Sequence, residues 1–306
     1  MTRLDVQRTG PAVPAGPTDQ GQELVRAGTW ELVRLAAEGP LARVYQARPV
    51  GALSQRSAAY CLKMLREEVL EDPRAVALIR REAQVGRTVA HPHLIPILAA
   101  HVTSPPYYVV MPWLEGQTLS ESLAAGEPLD VPGALWVVRQ AAEALAALHD
   151  AGWMHGDVKP ANILVAPLGH VTLLDLGFAR RPDETGFVAD RCLVGTCSYI
   201  APELLTSALA ADIRSDLYSL GVVLFQILTG RLPFEADTVA ELVEQHKRAR
   251  PPSLRKMAPG VPAEVAELVR AMLSKHPLHR PQTPREVVRR LVELEIDSFG
   301  ERSGRG

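Results

Sequence analysis

The 306-residue chain holds only three cysteines, Cys61, Cys192 and Cys197, with no spacing that suits a metal cluster or a disulfide framework. Three free thiols in a reducing compartment are the expectation, which points to the cytoplasm. Aromatic residues make up 5% of the chain, and no charge of either sign dominates: the formal net charge is -2. Nothing in that balance makes a footprint for nucleic acid or an anionic membrane surface. Long apolar runs are missing too. The longest, Leu220 to Leu228, is broken by Gln226 and falls far short of the ~20 residues that cross a bilayer. The first residues include Thr2, Arg3, Asp5, Gln7 and Arg8 rather than the apolar stretch of a secretory signal. Neither membrane insertion nor export is expected.

Order is distributed unevenly along the chain. Between Thr9 and Gly21, Pro, Gly and small polar residues crowd out apolar ones, so a disordered leader is expected over 1–25. Strand-like runs follow at Trp30 to Leu35, Ala42 to Ala47, Ala58 to Leu65, Ile95 to Val102 and Tyr107 to Met111. One helix interrupts them from about Pro73 to Ala90, with Asp72 as N-cap, Pro73 at its first position, and Val76, Ile79 and Ala83 on one face. After Trp113 helices take over. Leu135, Val138, Ala142, Leu145 and Leu148 recur at helical steps, and further helices are expected at Asp216 to Leu228, Thr238 to Arg248, Pro262 to Leu273 and Pro284 to Leu294. The pattern predicts an α+β chain in two lobes: a small β-rich lobe over about 26–113 with one key helix, then a larger helical lobe over about 114–295. A flexible tail over 296–306 is expected.

Polar residues concentrate in His155-Gly156-Asp157-Val158-Lys159-Pro160-Ala161-Asn162, between a core helix and the apolar strand Ile163-Leu164-Val165. A carboxylate at Asp157, a cation two residues on and an amide carbonyl five residues on can together orient a hydroxyl, a phosphate and a metal. Eighteen residues after Asp157 comes Asp175-Leu176-Gly177, carried by the strand-like Val171 to Leu174. Asn162 and Asp175 then offer two hard oxygen ligands, as many as Mg²⁺ usually takes from a protein.

These segments resemble the catalytic loop and metal-binding motif of eukaryotic-type protein kinases, in the bacterial-like serine/threonine branch. Other motifs of that family follow in order. Val44-Tyr45-Gln46-Ala47 resembles the strand after the phosphate loop, and Tyr60-Cys61-Leu62-Lys63 the strand whose lysine grips the nucleotide phosphates. Glu82, nine residues before His91-Pro92-His93-Leu94, stands where the family's helix glutamate pairs with that lysine. Gly195-Thr196-Cys197-Ser198-Tyr199-Ile200-Ala201-Pro202-Glu203 resembles the end of the activation segment. Asp216 looks like the start of the helix that anchors the catalytic loop, and Arg280 matches the arginine that pairs with Glu203. The likeness runs from about Trp30 to Leu294.

What the resemblance implies is a bilobal kinase-like fold and transfer of the ATP γ-phosphate to protein Ser/Thr hydroxyls, with Mg²⁺ or Mn²⁺ as cofactor. Lys63, held by Glu82, would place the nucleotide; Asn162 and Asp175 would hold the metal; Lys159 would steady the γ-phosphate; and Asp157 would accept the hydroxyl proton. Adenine would lie between Val44 and Cys61 above and Leu164 below. Ala36 would belong to the ATP site, Ala37 and Gly39 to the loop over the phosphates, Pro112 to Leu114 would offer backbone hydrogen bonds, and Met111 would guard the back. Lys159 and Thr196 resemble serine/threonine rather than tyrosine kinases. The implied partners are a protein substrate and a separate regulatory protein.

Three departures from the family pattern carry expectations of their own. The phosphate loop reads Ala37-Glu38-Gly39-Pro40-Leu41-Ala42 and keeps one glycine of three, so any need for φ > 0 at Ala37 or Ala42 would cost about 1 kcal/mol or more. Gly156 replaces the usual arginine before Asp157, which removes the usual partner of an activation-loop phosphate and predicts activity independent of one, with Thr185 the informative site. Gly86 stands where a bulky apolar residue is usual, which predicts loose packing of the helix on Asp175-Leu176-Gly177. These departures keep a nucleotide-binding pseudokinase open as an alternative. The His-Gly-Asp run also resembles small-molecule phosphotransferases of the aminoglycoside and choline type.

Overall fold

The computed structural model describes residues 25–52, 58–126, 129–182, 184, 197–205 and 211–303. Six strands make the first sheet: β1 (Arg26–Ala27), β2 (Trp30–Glu38), β3 (Ala42–Pro49), β4 (Tyr60–Leu65), β5 (Ala99–His101) and β6 (Tyr108–Pro112). They are ordered β1-β2-β3-β4-β6-β5, antiparallel throughout. Strand alternation decides which side chains reach the cleft. On β4, Leu62 turns to a small cluster with Ala27, Leu32, Ala47, Tyr108 and Val110 on one face. Cys61, Lys63 and Leu65 turn the other way and line the cleft.

Helix α1 (Pro73–Thr88) starts as the sequence predicts, with the Asp72 side chain accepting the Arg74 N–H and proline in the first turn. Its buried face carries Val76, Ile79, Glu82, Ala83 and Gly86. The run expected as a strand from Ile95 to Val102 is one only over Ala99–His101. Pro96 lacks the N–H a ladder needs; instead the Ile95 N–H bonds to Leu173 O at 3.0 Å and the Ile97 N–H to Gly86 O at 3.1 Å. That stretch ties the two lobes together.

The second lobe is helical around a small sheet of β7 (Gln117–Thr118), β8 (Ile163–Val165) and β9 (Val171–Leu173), ordered β7-β8-β9. Its helices are α2 (Leu119–Ala124), α3 (Val131–Asp150), α4 (Ile213–Thr229), α5 (Val239–Arg248), α6 (Leu254–Met257), α7 (Ala263–Met272) and α8 (Pro284–Ser303). Short α2 and α6 escape the sequence reading because so few turns leave no readable period. Helix α4 is apolar on nearly every side and runs through the core, with Leu217, Tyr218, Leu220, Val222, Val223, Leu224 and Phe225 buried. Helix α8 continues to Ser303, so the tail expected from 296 is helical over most of its length. Arg139 of α3 grips Glu295 through Nε, 3.0 Å from both carboxylate oxygens, and so fixes α8 beyond its last apolar contacts. Among the described residues no helix is long and apolar enough to cross a membrane. The expected leader, Cys192, Thr185 and Thr196 lie outside the described residues.

Candidate active site

Between the lobes lie two adjoining cavities, of about 340 and 390 Å³, that share Ala37, Val44, Lys63, Glu82, Ala161, Asn162 and Asp175. The first is also lined by Ala36, Cys61, Met111, Pro112, Leu114 and Leu164. Gly39, Asp157 and Lys159 line the second. Every residue expected around nucleotide or metal therefore faces one cleft.

At its centre Lys63 Nζ lies 2.8 Å from Glu82 Oε2 and 2.9 Å from Asp175 Oδ1. Burial alone would lower the ammonium's pKa, but Asp175 and Glu82 outweigh it and hold Lys63 charged. The carboxylates share one cation and go opposite ways. Glu82, with its side chain 2% exposed, is pushed up to about 7 by burial, and Asp175 adds to the rise. Asp175, 31% exposed, resists burial through Lys63 and the Gly177 N–H and is held down at about 2. Asp175 is also the only non-glycine with positive φ among the described residues, at 60°. Aspartate tolerates that left-handed backbone better than most residues, and here it accompanies a carboxylate turned onto Lys63.

The loop that carries Asp157 is held by its backbone. Asp216, buried in the first turn of α4, accepts the N–H of His155 at 2.6 Å and of Gly156 at 2.8 Å. The His155 ring links two neighbours, its Nδ1 facing the Asp157 N–H at 3.1 Å and its Nε2 facing Leu174 O at 3.0 Å. Neither bond needs a side chain at 156, and Gly156 sits at φ 85°, where a β-carbon is strained. Asp157 Oδ2 accepts Asn162 Nδ2 at 2.9 Å and lies 2.8 Å from Lys159 Nζ. Asn162 Nδ2 also donates to Asp157 O. The donor set fits a hard divalent cation: Asn162 Oδ1 and Asp175 Oδ2 take no hydrogen bond among the described residues.

Three expectations change against the structure. Ala37 and Ala42 lie in ordinary strand backbone, paired with Val44 and Leu65, so the feared strain is absent. At Gly86 the expected gap is filled by Ile97, whose Cγ1 occupies the place a β-carbon would take, with Leu176 Cδ1 3.4 Å from it. A bulky side chain there is replaced by one from the following loop. In the hinge, proline has no N–H and the Trp113 N–H is spent on Ala59 O at 2.9 Å, which leaves the Leu114 N–H as the hinge donor among these residues.

Beneath the cleft, Arg280 meets Glu203 through two bonds of 2.6 and 2.8 Å, as the resemblance implies. A protein kinase domain profile matches residues 31–291. The chain belongs to the protein kinase family. Among curated kinases it is 32% identical over 261 residues to serine/threonine-protein kinase PrkC of Bacillus subtilis, covering 85% of this chain and 40% of that protein. It is 33% identical over 273 residues to serine/threonine-protein kinase PknB of Mycobacterium tuberculosis, covering 87% of this chain and 42% of that protein. The kinase chain thus spans less than half the length of these relatives. Kinases of this family use ATP and a divalent metal ion, and the donors described above suit both. Sequence reasoning names His155 in the polar loop without a role, although its ring holds the Asp157 amide, and passes over Arg81, Trp153 and Glu184, which no motif marks.

Proposed function

We propose that this chain is a protein serine/threonine kinase that transfers the γ-phosphoryl group of ATP to hydroxyls of protein substrates, with Mg²⁺ as the metal. The observation that carries the reading is the Lys63 ammonium held between Glu82 and Asp175, in the same cleft as Asp157, Lys159 and Asn162. The names of the relatives support serine/threonine rather than tyrosine as acceptor.

Phosphoryl transfer asks a protein mainly for position and charge. In the proposed mechanism Lys63 takes the α- and β-phosphates, with Glu82 setting its direction. Adenine fills the cavity under Val44 and Cys61, whose thiol burial pushes up to about 12, so it acts as a small apolar wall. Asn162 and Asp175 hold the metal, which neutralises phosphate charge when bound. Lys159 stands beside Asp157 and screens the γ-phosphate from that carboxylate. Asp157 keeps Oδ1 clear of hydrogen bonds among the described residues, with Oδ2 engaged by Asn162 and Lys159. The substrate hydroxyl presents its proton to Oδ1 as its oxygen bonds to the γ-phosphorus, while the bond from that phosphorus to the β–γ bridging oxygen breaks and ADP leaves. A cytoplasmic site of action is part of this proposal, since ATP and reduced thiols are found there together.

The test is ³²P transfer from ATP and Mg²⁺ to the protein itself and to a basic protein substrate, comparing wild type with Asp157→Ala and Lys63→Met. Loss of the base is expected to lower the rate by ~10² to 10⁴, with label recovered on Ser and Thr. A folded, nucleotide-binding wild type that transfers nothing would turn the reading to a pseudokinase.

A further inference from the structure

Arg81 is the neighbour of Glu82 on α1, so when Glu82 points into the cleft Arg81 points about 100° away around the helix. There it meets the chain that follows Asp175. Arg81 Nη1 donates to Glu184 Oε1 at 3.0 Å and lies 2.9 Å from Oε2. The same guanidinium lies 5.1 Å from the ring centre of Trp153, and Arg181 lies 4.8 Å from that ring. Trp153 is 5% exposed and stands two residues before His155. The next residue, Met154, exchanges two backbone hydrogen bonds with Arg180, of 2.9 and 3.0 Å. Ion pair, indole contact and backbone bridge therefore join α1, the catalytic loop and the segment after Asp175 at one place.

A second charge converges there. Arg180 is 4% exposed, and its Nε and Nη2 have no hydrogen-bond partner among the described residues. The charges that offset its burial are those of Asp216 and Glu184. Glu184 Oε2 is buried 2.9 Å from Arg81 Nη1 and takes no other bond among the described residues. The Glu184 carboxylate thus sits in the field of two guanidinium groups, one bonded and one not.

We propose that Arg81, Trp153 and Glu184 are positioning residues that latch α1 inward, so that Glu82 stays on Lys63 through a carboxylate written into the chain. The inference rests on the kinase reading for its consequence in catalysis, while the latch itself is a property of the fold. An outward swing of α1 breaks the ion pair and strips the Arg81 plate from the indole together, which makes the inward position self-reinforcing. Arginine suits this double contact and lysine does not, because only the planar guanidinium both stacks and bonds.

The experiment uses the full chain with Glu184→Gln, Arg81→Gln, the double variant, and Arg285→Gln as control for loss of an exposed ion pair. Hydrogen exchange across α1 is read by mass spectrometry, and kcat/KM for ATP is measured beside it. Each single variant is expected to speed α1 exchange and lower kcat/KM by about threefold to tenfold, with the double variant no worse than either single. The control is expected to leave both readings alone, and KM for the protein substrate is expected to hold in all variants. Unchanged α1 exchange in Glu184→Gln, or effects that simply add in the double variant, would overturn the latch. A wild type without phosphate transfer would sink the kinase reading, yet exchange would still decide the latch. Glu184→Gln decides it alone if Arg81→Gln fails to fold.

Discussion

Replacing Arg280 offers a demanding check of the helical lobe, because its guanidinium spends all five N–H groups. Nε bonds to Ser274 O at 2.8 Å, Nη1 to Glu203 Oε1 and Arg214 O, and Nη2 to Glu203 Oε2 and Lys275 O. The side chains of the pair are 0% and 1% exposed, and the Tyr218 ring lies 4.8 Å from the guanidinium carbon. Arg280→Met takes both guanidinium bonds from the buried Glu203 carboxylate, while the Ser215 hydroxyl still donates to Oε1. Breaking a buried ion pair from one side costs about 3–5 kcal/mol, a large part of the roughly 5–15 kcal/mol that holds a domain folded. Arg280→Lys keeps the charge but has three donors in place of five, and is expected to cost about 2 kcal/mol. Removing both charges in Glu203→Gln/Arg280→Met is expected to recover part of the loss, since no buried ion is then stranded. Urea unfolding followed by tryptophan fluorescence at pH 7.5 reads all three. Arg280→Met within about 1 kcal/mol of wild type, or a double variant less stable than Arg280→Met, would refute the reasoning.

Glu82, raised to about 7 by burial, ionises as pH climbs through that value; kcat/KM for ATP is expected to rise there and level off above, since this parameter reports the free enzyme. Glu82→Gln should be slow and should lack that limb, and a limb that survives the substitution would contradict the assignment. Gly86→Ala gains ~1 kcal/mol in helix propensity but drives a β-carbon into the stiff, buried Ile97, at about 1–3 kcal/mol. Net destabilisation is expected in wild type and stabilisation in an Ile97→Ala background, so an unchanged sign in chemical unfolding would count against close packing here. His246 is 0% exposed, and burial first, then the Lys275 charge, depresses it to about 4. The unfolded chain takes up that proton near pH 6.5 and the native one does not, so stability falls as pH drops through this window. The loss is about 2 kcal/mol between pH 7 and pH 5. His246→Asn should show a flatter slope of Tm against pH over that range, and an equal slope would assign the acid sensitivity elsewhere.

How much of this was legible depends on the range of the contact involved. Asp72, Pro73 and the face of Val76, Ile79 and Ala83 gave α1 from local chemistry alone, because an N-cap and a 3.6-residue period are written within a few turns. Lys63, Asp157, Asn162 and Asp175 were legible as a set through order and spacing, although Lys63 and Asp175 are 112 residues apart when they meet. Gly86 misled, because the side chain that fills its place, Ile97, belongs to another element and carries no mark of that role. The end of α8 was misplaced for the same reason: Glu295 finds Arg139 across 156 residues. Arg81 and Glu184 meet across 103 residues with no motif around either.

Gly156 shows why a departure inside a motif need not disturb the chemistry next to it. A side chain at 156 has no part in placing Asp157, since Asp216 grips the amides of His155 and Gly156 rather than any side chain between them. The His155 ring then fixes the Asp157 amide and the Leu174 carbonyl, one residue before Asp175. Asp157 and Asp175 are thereby spaced by backbone and a histidine. With position secured in that way, an arginine at 156 is free to be lost, and a left-handed φ of 85° gives glycine the advantage there. What the loss removes is a cation beside the activation segment, and Arg180 already stands buried there within the fields of Asp216 and Glu184.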